Sequence, residues 1–115
     1  MGKDLNNTKA LWNRYLVLTG EMKKFINQDD VDMFLNLLEQ RNILHNQLQE
    51  MGIGEFERSP EGKSLGSKIK IINADIQYKA QIWLNQAKGQ ERKVNAYSSL
   101  GYGDNRFGAN FNFYK

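Results

Sequence analysis

Cysteine is absent from the 115 residues, and proline occurs once, at Pro60. The first absence excludes disulfides and thiolate metal sites and fits a reducing compartment. The second leaves long stretches in which nothing interrupts a helix. Histidine is equally scarce: His45 stands alone, without an acid or second imidazole at metal-ligand spacing. It reads as a boundary residue of its helix, not as a ligand or base. No apolar run can span a bilayer, because Lys68, Lys70, Lys79 and Lys88 punctuate the most apolar region. Charge of one sign is also lacking. The 16 basic and 13 acidic residues leave a net +3 and are mixed along the chain, with no obvious basic face or stripe, so nucleic acid is not an expected partner. Residues 1–11 are polar and hold no apolar leader core, so the expectation is a cytoplasmic protein.

What is present is helical periodicity. With 40% hydrophobic and 25% charged residues, the chain suits one all-α domain with a modest core. A first helix is expected to start near Asn6 to Thr8. Its seam is Leu11, Tyr15, Leu18, Met22 and Phe25 at heptad spacing, widened by Trp12, Leu16 and Ile26 and weakened at Gly20. Asn27-Gln28-Asp29-Asp30 breaks the pattern, and either aspartate can cap the next helix. That helix is expected over Val31 to Met51, with Phe34, Leu37, Leu38, Leu44, Leu48 and Met51 as its seam. Arg41 falls on the seam where an apolar residue belongs; it would pair with an acid on a neighbouring helix or snorkel outward. Gly52 suits the left-handed cap that ends the helix. A connection of about three residues makes the two helices antiparallel neighbours.

Ile53 to Glu57 reads as a linker, and Ser59-Pro60-Glu61 as a second start signal. The long stretch Leu65 to Leu100 then places Leu65, Ile69, Ile72, Ile76, Ala80, Trp83, Ala87, Val94 and Tyr97 on one helical side. Gly62 and Gly66 predict an irregular beginning, and Asp75 beside the seam wants Lys79 as its partner. The fold expected is therefore an antiparallel helical hairpin packed on a long third helix, over residues 1–100. Residues 101–115, rich in Gly, Asn and aromatics, have no helical period and form a separate flexible tail.

The hairpin helices would be about 30 Å long and the third about 50 Å. Part of the long seam is then left for another chain to cover. Ile82, Trp83, Val94, Tyr97 and Leu100 are the expected anchors of a partner, aromatics dominating such contacts. An antiparallel homodimer, a coiled-coil oligomer or an adaptor would cover the strip equally. No catalytic constellation is visible: Ser98-Ser99 has no base at hand, and Gly101-Tyr102-Gly103 has no strand before it or helix after it to make a phosphate loop. Neither an enzyme nor a cofactor is expected. The aromatic tail would either fold back over the bare seam or offer Tyr102 and its neighbours to a partner.

The run Asp32-Met33-Phe34-Leu35-Asn36-Leu37-Leu38-Glu39-Gln40-Arg41-Asn42-Ile43-Leu44, with Ile72-Asn73-Ala74-Asp75-Ile76 further on, resembles the flagellar protein FliT family of small bacterial export chaperones. The resemblance covers about residues 10–97. The sister family FlgN, which serves hook–filament junction proteins, is similar at this level. The resemblance implies a helical bundle that binds the filament cap protein FliD in the cytoplasm and delivers it to the export gate protein FlhA. It further implies that Tyr97, near the end of the last long helix, docks the gate, with Tyr102 as the second choice. Family members carry a fourth helix that folds back and regulates binding; here the tail stands in that place, which puts such autoinhibition in doubt.

Overall fold

A computed structural model of the chain describes residues 2–86, with side chains from Asn6 onward. The described residues are all-helical: α1 (Gly2–Asn27), α2 (Val31–Met51), α3 (Glu55–Arg58) and α4 (Pro60–Gln86). Ala87, Val94, Tyr97, Leu100 and Tyr102, and with them the end of the expected long helix and the tail, lie outside the described residues.

α1 begins four residues before the earliest expected start. It ends in a Schellman-type turn. Asp29 N–H donates to the Ile26 carbonyl at 3.1 Å and Asp30 N–H to the Phe25 carbonyl at 3.0 Å, while Asp29 takes a left-handed φ of 56°. The next residue starts α2: Asp30 Oδ1 accepts from Met33 N–H at 3.1 Å. Each aspartate therefore has its own role, Asp29 in stopping one helix and Asp30 in capping the next. α2 ends at Gly52, whose φ is +73°, the conformation a Cβ would strain.

The segment expected as a linker contains α3, and its middle is buried: Phe56 and Glu57 are almost fully enclosed. Glu57 Oε1 accepts from Gly54 N–H at 3.0 Å and Glu57 Oε2 from Trp12 Nε1–H at 3.0 Å, so one carboxylate caps α3 and ties it to α1. Ser59 then opens α4 by accepting from Gly62 N–H at 3.0 Å. The two glycines do not make the beginning irregular. A Cβ on Gly62 would stand 1.9 Å from the Phe56 carbonyl oxygen; glycine is there so that α3 can sit on α4.

α1 packs on both α2 and α4, and α3 on α4. Lys9 reaches Glu61 at 2.9 Å and Lys23 reaches Asp75 at 3.0 Å, the same sequence offset at two points, so α1 and α4 run parallel. α2 follows the three-residue turn and packs on α1. Lys79 pairs with Asp29 at 3.5 Å, so neither Asp75 nor Lys79 takes the partner on its own helix that the spacing predicts.

The core seam of α4 runs Gly62, Gly66, Ile69, Asn73, Ile76, Ala80, Trp83. Leu65 and Ile72 are moved to the flank, partly buried, while Gly62 faces the α3 backbone. On α1 the centre passes through Trp12, Tyr15, Thr19, Met22 and Ile26, and Leu11 and Phe25 become flanks. Met51, expected on the α2 seam, is 43% exposed. Each fully buried large apolar side chain contributes about 1.5–3 kcal/mol of transfer free energy.

Two substitutions of similar chemistry should have opposite signs. Gly62→Ala is expected to lower stability by about 1–3 kcal/mol through overpacking against backbone. Gly20→Ala, where a Cβ meets nothing within 4 Å, should raise it by about 0.4–1 kcal/mol. Ile76→Ala should cost about 2–5 kcal/mol and Ile72→Ala distinctly less. Urea unfolding of the variants checks all four.

Candidate functional site

Two regions of the molecule carry more than packing. The first is inside. Arg41 is completely buried; it does not snorkel. Its Nη1 donates to Asn73 Oδ1 at 3.0 Å and to Thr19 Oγ1 at 3.2 Å, and its guanidinium lies 5.2 Å from the centroid of the Tyr15 ring. Thr19 in turn donates its hydroxyl to the Tyr15 carbonyl at 2.7 Å. One side chain of α2 thus joins α1 and α4. Burial lowers the proton affinity of Arg41, with Tyr15 acting the other way. Burial raises the Tyr15 pKa, opposed by the charge of Arg41. His45, read from sequence as a boundary residue, is buried as well. This cluster is enclosed, and its hydrogen bonds tie α2 to α1 and α4.

Trp83 is the principal correction among the expected partner anchors. It is fully buried. Its indole Nε1–H donates to Asp29 Oδ1 at 2.8 Å, and its ring meets Phe34 edge-on at 5.5 Å. It closes the turn end of the bundle and has no surface left for another chain. Ile82, its neighbour, is half-buried. Val94, Tyr97, Leu100 and Tyr102 lie outside the described residues.

The second region is the outer face of α4. Ile71 is 67% and Tyr78 72% exposed. At 100° per residue, Ile71, Tyr78 and Ile82 fall within about 40° of one another, opposite the core seam. The exposed Ala74 lies beside them. The sequence did carry a signal for this row: Ile71 and Ile72 are adjacent, so both cannot face one core. At the far end of the bundle a hollow of about 210 Å³ is lined by Asn6, Lys9, Glu55, Phe56, Ser59 and Glu61, where the Lys9–Glu61 pair satisfies its charges internally.

Among the described residues, no group of three or more His, Cys, Asp or Glu is placed to hold a metal ion, and no helix is long and apolar enough to cross a membrane. No protein-family model matches the chain, and no curated protein or solved structure matches it.

Arg41→Ala should cost about 3–5 kcal/mol, the penalty for breaking a buried polar set from one side. The double variant Arg41→Met/Asn73→Leu, which replaces charge and acceptor together, should stay close to the parent or exceed it. A second expectation concerns pH. A tyrosine whose folded pKa is raised keeps its proton after the unfolded chain ionises, near about pH 10. The folded state then binds more protons, and stability is lost as pH rises from about 10 through the folded pKa. Tyr15→Phe should flatten that part of the stability–pH profile, measured by urea unfolding between pH 8 and about 11.5.

Proposed function

We propose that this protein is a helical binding module of the export-chaperone kind: a hairpin of α1 and α2 laid on the long helix α4, acting in the bacterial cytoplasm without catalysis. Its client is a filament cap protein of the FliD type, handed to an export gate of the FlhA type. The observation that carries the reading is the apolar row of α4. Ile71 and Tyr78 stand 67% and 72% exposed on a helix whose opposite side is already filled from Gly62 to Trp83. Apolar residues recurring at helical spacing on an outer face serve the docking of another helix. The resemblance of the Asp32–Leu44 run to the FliT family supplies the class of client.

Within this reading Ile82 joins the row, and Val94, Tyr97 and Leu100 extend the client contact. Tyr97, and next to it Tyr102, serves the gate. Trp83 is withdrawn from the anchors because its indole is spent inside the bundle. A FlgN-like chaperone for junction proteins is the nearest variant of this reading.

Light scattering after size-exclusion chromatography, with and without a FliD-type protein from the same genome, tests it. A stoichiometric complex is expected. Val94→Asp should weaken that complex while leaving the unfolding midpoint unchanged, and Tyr97→Ala should weaken gate binding alone. A tight homodimer that takes up no client would replace the chaperone reading with a structural oligomer.

A further inference from the structure

The outer face of α4 also has a charge pattern. Lys63, Lys68 and Lys70 are exposed, and none of them pairs with an acid among the described residues. By helical angle, Lys63 and Lys70 lie on one side of the Ile71–Tyr78 row and Lys68 on the other. The acids of this helix are engaged elsewhere: Glu61 with Lys9 and Asp75 with Lys23. Three exposed lysines that pair with no acid among the described residues leave this face open to carboxylates of a partner.

We infer that this face receives an amphipathic helix of a partner protein whose apolar stripe covers Ile71, Ala74, Tyr78 and Ile82 and whose flanking carboxylates meet Lys63, Lys68 and Lys70. The inference rests on the binding reading above and adds the face and the chemistry of the segment bound. From Lys63 to Ile82 the site is about 28 Å long, matching a partner helix of about 18–20 residues. The same face of a second copy is a poor occupant, because it would set three lysines against three lysines. An anionic lipid surface suits the lysines, but a helix lying on a bilayer needs a broad apolar face. Here the row is narrow, bordered by Ser67 and Gln81 on one side and by Asp75 on the other. Charge complementarity of this type sets partner choice and association rate, and it weakens with salt.

The test uses the full chain and two labelled 18-residue synthetic peptides. Both carry leucines at helical three–four spacing; one is flanked by glutamates, the other by lysines. Fluorescence anisotropy should show the glutamate peptide binding at least tenfold more tightly at low salt, with the advantage shrinking as salt is added. Ile71→Asp/Tyr78→Asp should reduce that binding at least tenfold with an unchanged circular-dichroism melt, since both side chains already face water. Lys63→Glu/Lys68→Glu/Lys70→Glu should invert the preference toward the lysine peptide. Equal binding of the two peptides, no binding of either, or insensitivity to the Ile71/Tyr78 pair overturns the assignment. So does co-sedimentation with phosphatidylglycerol vesicles that the same pair abolishes, or a dimer that the pair dissolves. A FliD-type client that still binds the Ile71/Tyr78 variant normally sinks this face but leaves the chaperone reading intact. A client that binds no form of the protein, alongside the expected peptide results, does the reverse.

Discussion

A buried cation joins the three long helices. Arg41 is surrounded on all sides, and an ion in that position costs several kcal/mol before any compensation. Compensation comes from oxygens and a ring supplied by different helices: Thr19 and Tyr15 on α1, Asn73 on α4. Apolar side chains at heptad spacing would pack nearly as well one turn along, because dispersion and transfer free energy are not directional. The guanidinium does not allow that slip, since a shifted α2 would leave it facing hydrocarbon. Hydrogen-bond geometry thus supplies the alignment that the apolar seams alone leave loose.

The two ends of the bundle are closed by the same device, a carboxylate that accepts from an indole. At one end Asp29, held at φ 56°, receives Trp83 and Lys79. At the other Glu57 receives Gly54 N–H and Trp12. Glycine would adopt the φ of Asp29 more easily, but it could not accept the indole. The strain is local and the contact it permits is between elements far apart in sequence. At the α3 end, glycine at position 62 has the opposite logic: an absent side chain lets backbone approach backbone.

These constraints decide what is left outside. Once the glycine line of α4 faces α3 and α1, its apolar residues divide into two sets. Ile69, Ile76, Ala80 and Trp83 go inside, and Ile71 and Tyr78 are turned to water. Three lysines that pair with no acid among the described residues flank the first part of that outer row. The face is therefore a consequence of the same rotation that buries the core, and its apolar and cationic character arises together.

The sequence by itself determined the all-helical class, the bounds of α2, the three-residue turn, the positive-φ glycine at position 52 and the Ser59-Pro60 start of α4. Each of these rests on local chemistry: the three–four spacing of apolar residues, a side-chain cap, a missing Cβ, a fixed proline φ. The burial of Arg41, the rotation of α4, the hidden indole of Trp83 and the exposure of Ile71 and Tyr78 were decided only by the tertiary structure. Trp83 illustrates the reason. Its place on an apolar seam is a property of one helix, whereas its burial depends on Asp29, 54 residues away, and on Phe34. Periodicity gives the angle of a side chain about its own axis; which angle faces the core is set by how closely the neighbouring backbones approach, and here Gly62 and the α3 carbonyl set it.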